Sequence, residues 1–410
     1  MTPAKRIFLC ALVVSLNLTI PIKVNAATLV ATGTNPDACN QTLSVTSNVT
    51  SVRTGQECIV TFTNSSETIW TVPAGVTRIS AIVVGGGGGG GDSAASATGG
   101  GGGSGGFFQN SNIYVSGTIP ILAGAGGAGS SLTTQGVNGG TSYLGTLKVG
   151  GGGGGNGYNY VGGARAQAGV GGSDFVSSGS GGGGRPTGGG TYSNEILGGL
   201  AGTYASAGVT FLGYTYTGLQ GVVGGNPSDG ASGGMGGVIT PSSNRTSSIT
   251  GTSTEYSKIS SFRPWEDPLS PAGTKTYGSG GSPNYGYGTD PTVGGGAGAS
   301  GVVIIRYTIV PTISAPITDG VFMKGILESA TVTSNLSGKV RFFYDGKRIA
   351  SCLAVPTTGT APNLVAVCNW RPTVSGVKLI YATFTAADGT SGTVTTSKVA
   401  LQVQRRVNTR

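Results

Sequence analysis

The sequence contains no histidine in its 410 residues. That absence removes Ser-His-Asp and Cys-His nucleophilic sites and most catalytic metal sites. Charge is also scarce, at 10% of residues. Glu266-Asp267 is the only adjacent pair of acids. A glycosidase needs two carboxylates facing each other across a cleft, which adjacency does not supply. An enzyme working through those two side chains is therefore the weakest reading, and a solvated loop is the plain one. No Gly-x-x-x-x-Gly-Lys-Ser/Thr phosphate loop occurs. Gly-x-Gly-x-x-Gly matches are plentiful, but none opens a helix after a strand. Neither local cysteine pair has metal-ligand spacing. The expectation is a protein that is not an enzyme and carries no cofactor, no metal and no nucleic acid.

Long apolar runs are missing too. Residues 7–18 form an apolar core behind Lys5 and Arg6, and Val24-Asn25-Ala26 has the small-x-small form of a cleavage site. Residues 1–26 are expected to be a signal peptide, the alternative being an N-terminal anchor. Nothing further along approaches the roughly 18 apolar residues that span a bilayer. The mature chain is then expected to have no transmembrane segment and to be secreted or held at the cell surface. Cys10 leaves with the signal. Cys39, Cys58, Cys352 and Cys368 remain as two local pairs, which in an exported protein read as disulfides. Each would add about 3 kcal/mol on the loop-entropy estimate.

What the sequence has is glycine. Its 80 glycines divide as 3 in residues 1–78, 69 in 79–309 and 8 in 310–410. Residues 85–91 are seven consecutive glycines after Ile79-Ser-Ala-Ile-Val-Val84. Further pure runs occupy 150–155 and 181–184. Ordering glycine costs the most backbone entropy, so such a stretch is either disordered or needs the absence of Cβ. Two features favour order. Gly301-Val-Val-Ile-Ile-Arg-Tyr-Thr308 matches Ile79-Ser-Ala-Ile-Val-Val84 in apolar, β-branched composition, and the two are expected to pair and close the region. The runs are also interrupted by strand formers, such as Phe107-Phe108, Ile113-Tyr-Val115 and Thr118-Ile-Pro-Ile-Leu122, which a Gly/Ser linker would lack. Extended threefold polyglycine helices packed side by side can bond to one another, and glycine at every position lets them approach on all sides.

Trp70-Thr-Val-Pro-Ala-Gly-Val-Thr77, Val83-Val84-Gly85 with its glycine run, and Gly298-Ala-Ser-Gly-Val-Val-Ile-Ile-Arg-Tyr307 together resemble the bacterial and phage glycine-rich domain family. The resemblance implies a sandwich of packed polyglycine helices over residues 67–309. In the tail-fibre adhesins of that family it implies receptor binding by loops at one end. A signal peptide and an added C-terminal segment depart from the adhesin pattern and point to a bacterial surface or secreted protein.

Loops between the runs carry Tyr158, Tyr160, Tyr192, Tyr204, Tyr214 and Tyr216, and the longest, about 240–292, holds Tyr256, Phe262, Trp265, Tyr277, Tyr285 and Tyr287. Tyrosine among Ser, Gly and Asn gives contact area at low entropic cost, as in recognition loops. Phe262, Trp265, Tyr277, Tyr285 and Tyr287 are the candidate ligand-binding set, with ordinary packing as the alternative for each ring.

Residues 27–66 read as a small strand-rich lead-in holding the Cys39/Cys58 pair. Residues 310–405 read as short alternating strands with turns at Asp345-Gly346 and Asp388-Gly389. Their spacing argues a β-sandwich. Gly338-Lys-Val-Arg-Phe-Phe-Tyr-Asp-Gly346 and the Trp370-x-Pro372 turn resemble bacterial Ig-like repeats; residues 406–410 are a tail. The expected fold class is mainly β and polyglycine II: a glycine-rich helix sandwich bracketed by strands, then an Ig-like β-sandwich. Net charge, +9 overall, is concentrated at +7 in residues 310–410. That basic segment could hold an anionic cell-wall polymer, while the loops would take a surface glycan or cell-surface protein. The leading functional expectation is an exported, non-enzymatic adhesion or binding protein. The alternative is a structural envelope or matrix component without a specific ligand.

Overall fold

A computed structural model describes residues 39, 42–43, 48–54, 56–63, 65–92, 99–130, 135–157, 166–184, 197, 199–223, 245–257, 276–282, 295–318, 321–359, 363–387 and 393–405. Among these residues the regular structure is strand, with one 3-10 turn at Ala350–Cys352 and no α-helix. No helix among them is long and apolar enough to cross a membrane.

The two matching apolar segments do pair. Arg78–Val84 runs antiparallel to Val302–Thr308, with Ile304 opposite Ile82. Val302–Thr308 is central, because its other edge pairs with Glu57–Phe62, Ile305 lying opposite Val60. Val49–Thr54 and Phe107–Tyr114 complete a five-stranded antiparallel sheet from the outer sides. The lead-in thus contributes strands to the same sheet as the glycine-rich segment. The Cys39–Cys58 disulfide forms beside it, and the Tyr307 hydroxyl donates to the Cys39 carbonyl at 3.1 Å.

A six-stranded sheet packs over one face. Its order is Thr42–Leu43, Thr68–Thr71, Thr118–Leu122, Ser142–Leu144, Leu147–Val149 and Phe175–Ser177. Trp70, Ile119, Ile121, Leu144, Leu147 and Val176 from this sheet share a core with Val60, Val83, Ile305 and Tyr307 from the other. Trp70 and Tyr307 meet with ring centroids 5.8 Å apart. The alternation of strands explains the division: odd-numbered Ile79, Ala81 and Val83 point into this core, while Ile82 and Val84 point to the opposite face.

The expected sandwich of polyglycine helices is corrected by these sheets. The glycine runs carry no helical assignment and are extended continuations of strands. Residues 85–91 prolong Arg78–Val84, residues 150–155 prolong Leu147–Val149, and residues 99–106 lead into Phe107–Tyr114. The physical reason lies at the strand end. A strand with side chains bonds to two neighbours in one plane. Once the side chains stop, neighbours can approach from any direction. The amides of Gly85, Gly88 and Gly91 donate to the carbonyls of Gly106, Gly103 and Gly100. Those of Gly86 and Gly89 donate to Gly140 and Val137, and those of Gly87 and Gly90 to Ala299 and Gly296, all within 2.7–3.0 Å. Every third residue therefore faces the same neighbour. On the acceptor side, Gly86, Gly87 and Gly88 receive from Gly152, Gly127 and Gly281. The two-sheet body thus extends into a lattice of backbone bonds, which satisfies groups that burial would otherwise penalise.

In the C-terminal segment two sheets face each other. One holds Ile317–Thr318, Glu328–Ser334 and Leu364–Trp370. The other runs Val321–Met323, Val399–Gln404, Gly376–Ala386, Gly338–Tyr344 and Lys347–Arg348, with Val355–Pro356 and Val394–Thr395 added beside it. Val332, Ala366 and Cys368 share an apolar core with Phe342, Ile380, Phe384 and Leu401. The Asp345-Gly346 turn forms, with φ of 51° and 78°, and Cys352–Cys368 is a disulfide. Asp388-Gly389 lies outside the described residues.

Candidate functional site

The second face of the five-stranded sheet changes character along its length. Near the glycine lattice it is apolar: Ile82, Val84, Phe107, Val302 and Ile304 form a small cluster covered by Ile249 and Tyr256. Further along it becomes polar, at Ser80, Gln109, Ser111 and Arg306. A β-bulge marks the change. Ile79 pairs with Ile113 and Ala81 with Asn110, so Ser111 and Asn112 together oppose the single residue Ser80. The extra residue bends the edge strand and frees its polar groups from the ladder. The Ser80 hydroxyl donates to the Ser111 carbonyl at 3.2 Å, and the Asn110 carboxamide oxygen accepts from the Asn112 amide at 2.8 Å.

A short ribbon, Thr246–Ser247 paired with Thr254–Glu255, walls the other side. Arg245 holds it in place. This side chain is buried, donates to the Ser257 carbonyl at 2.8 Å, and pairs with Glu255 at 3.0 Å. Burial pulls its guanidinium below the usual value and Glu255 holds it up; an arginine stays charged through such a shift. Tyr256 lies on Phe107 with centroids 6.0 Å apart, and burial pushes its hydroxyl up from the ordinary tyrosine value.

Between ribbon and sheet lies an open cavity of about 190 Å³ lined by Ser80, Ala81, Gln109, Asn110, Ser111, Ser247, Ser248, Ile249 and Arg306. Four serines, two carboxamides and one guanidinium line it together with Ile249, while the Ala81 side chain turns to the opposite face of its strand. Arg306 is already committed to Glu57 at 2.6 Å. The lining therefore offers neutral donors and acceptors beside one apolar side chain. It suits a hydroxyl-rich ligand of one ring, being smaller than the roughly 300 Å³ of sites that enclose drug-sized molecules.

Arg78 stands two residues from Ser80 and so on the same side of its strand. It donates to the Tyr114 hydroxyl at 2.6 Å, and Tyr114 stacks on Tyr214 at 3.7 Å and 5°. Tyr214 is 45% exposed and belongs to the hairpin Val209–Phe211/Tyr214–Tyr216, whose turn shows Leu212 to solvent. Tyr214 is the exposed member of this ring pair and Tyr114 the half-buried one.

Of the ring set expected from the sequence, Phe262, Trp265, Tyr285 and Tyr287 lie outside the described residues, as do Tyr158, Tyr160 and Tyr192. Tyr277 is 39% exposed, and its carbonyl accepts from the Ser257 amide at 2.7 Å beside the ribbon. Tyr216 and Tyr256 are buried packing residues. The groove residues carry no motif. Their one trace in the sequence is Gln109-Asn-Ser-Asn112, which breaks the apolar alternation of an otherwise strand-like segment.

The profile of a family described as a glycine-rich domain matches residues 63–308. No curated protein matches the chain. Among solved structures, the fibronectin(III)-like modules of Clostridium thermocellum CbhA are similar at 15% identity and a TM-score of 0.18, over 23% of this chain and 98% of theirs. The CARDB domain of a Pyrococcus furiosus protein, solved with di-metal ions, is similar at 20% identity and a TM-score of 0.18, over 23% of this chain and 91% of that one.

Proposed function

The chain belongs to the glycine-rich domain family, and from that premise we propose that it is an exported, non-enzymatic binding protein that adheres to a surface glycan. One observation carries the reading. The amides of residues 85–91 are all bonded to neighbouring backbone and the run is buried, so it has no free N–H with which to hold a ligand. Recognition then falls to side chains that the two sheets position around it, and the groove beside Ser80 is where such groups converge. Two disulfides support an oxidising compartment outside the cytosol.

The test is a glycan-array screen of the full chain, followed by Gln109→Ala with Ser248→Ala. Each lost neutral hydrogen bond is worth about 1 kcal/mol, so affinity for the selected glycan should fall about 10- to 30-fold. Unchanged affinity would remove the groove from the reading. Deleting residues 258–275 asks separately whether Phe262 and Trp265 take part. A longer deletion through 276–282 would answer nothing, because Gly278 and Gly281 bond to Gly105 and Gly88 within the lattice. A self-bonded lattice also suits a purely structural envelope component; that second reading prevails if the array and whole cells both fail to bind.

A further inference from the structure

The outward face of the larger C-terminal sheet is set by its register. Val340 and Phe342 point inward, so Lys339, Arg341 and Phe343 point out. Phe343 lies opposite Tyr381 on one neighbour and opposite Arg348 on the other, which places all three on the outer side. Phe343 and Tyr381 stack with centroids 4.7 Å apart at 4°. The Lys398 ammonium sits 5.6 Å from the Tyr381 centroid. The result is one row across the sheet, Arg348, Phe343, Tyr381 and Lys398, flanked by Arg341 and Lys339 at successive outward positions. The outward positions of the described strands of this sheet carry no acid. Asp345, at the turn, is held by Lys378 at 2.9 Å.

The rings sharpen the charge. They stand face to face, so they turn edges to solvent, and an aromatic edge is the positive part of its quadrupole. Cations and ring edges thus act with one sign. The same stacking covers one face of each ring, and the Lys398 ammonium stands over the Tyr381 ring, which leaves less open ring for a nucleobase, since nucleobases bind by stacking. The chain's disulfides also place it away from cytosolic nucleic acid. Exposed guanidinium groups are matched to carboxylates, which they hold through two parallel hydrogen bonds.

We propose that this outer face binds a linear polysaccharide bearing carboxylates, through Lys339, Arg341, Arg348 and Lys398. It is a site separate from the Ser80 groove, and the groove variants should leave it unaffected. The probe is immobilised sodium polygalacturonate with the full chain as analyte, and dextran as the uncharged control. Retention on polygalacturonate, its steep loss with added salt, and no retention on dextran are expected. Lys339→Gln, Arg341→Gln and Arg348→Gln together should weaken binding about tenfold or more, and Arg341→Gln alone by a smaller amount, with melting temperatures unchanged because all three side chains are exposed. Arg371→Gln, on a residue outside this sheet that donates to the Gly325 carbonyl, should bind as the parent does. The proposal fails if the parent chain does not bind polygalacturonate or if the triple variant binds as tightly as the parent. It fails equally if duplex DNA or phosphatidylglycerol vesicles are held as tightly as the polyuronate.

Discussion

Gly88 shows what a single residue does in the lattice. A Cβ built there would overlap the Gly153 carbonyl, and at Gly89 and Gly90 it would overlap the carbonyls of Ala128 and Ser282. The obstacles are backbone on three different neighbours, so no rotamer change relieves them. Gly88→Ala should destabilise the chain by about 3 kcal/mol or more, read as a lower melting temperature. Gly117 makes the contrast: its φ is +67° and nothing lies within 4 Å of an added Cβ. Gly117→Asn should cost about 1 kcal/mol or less, since Asn tolerates left-handed backbone. The need for missing side chains was legible in the unbroken runs. The groove residues were not, because a lone Ser80 in an apolar strand and a polar edge segment look like ordinary surface until the bulge and the ribbon bring them together.

At the scale of elements, the ribbon Thr246–Ser247/Thr254–Glu255 forms one wall of the groove, and its hold on the sheet is testable. Tyr256 is almost fully buried on Phe107. Tyr256→Ala should cost about 3–5 kcal/mol and weaken glycan binding, measured by thermal melting and by titration of the selected glycan. The pairing of the two apolar strands was readable because both ends advertise the same β-branched composition. The second partner of Val302–Thr308 was not. Glu57–Phe62 lies some 240 residues away in sequence, and pairing at that distance leaves no local pattern. Expecting helices between the strands went wrong for a related reason: glycine alone specifies closeness, while the neighbouring strands Leu147–Val149 and Phe107–Tyr114 set the line along which the runs extend.

For the whole molecule, sheets and lattice differ in what keeps them folded. The sheets bury Trp70, Phe108, Ile305 and their neighbours, whereas residues 85–91 are buried with no side chain at all and are held by amide–carbonyl bonds. Unfolding therefore exposes much peptide and comparatively little hydrocarbon. Apolar exposure raises the heat capacity of unfolding and polar exposure lowers it, about +0.45 against −0.26 cal/K/mol per Å². The heat capacity increment per residue should fall below the ~12–15 cal/mol/K of ordinary domains, and scanning calorimetry of the full chain over a range of pH would measure it. A small increment means a broad, shallow dependence of stability on temperature. The backbone lattice would then keep the protein folded through cold as well as warmth, where proteins held mainly by oil-like cores lose their footing.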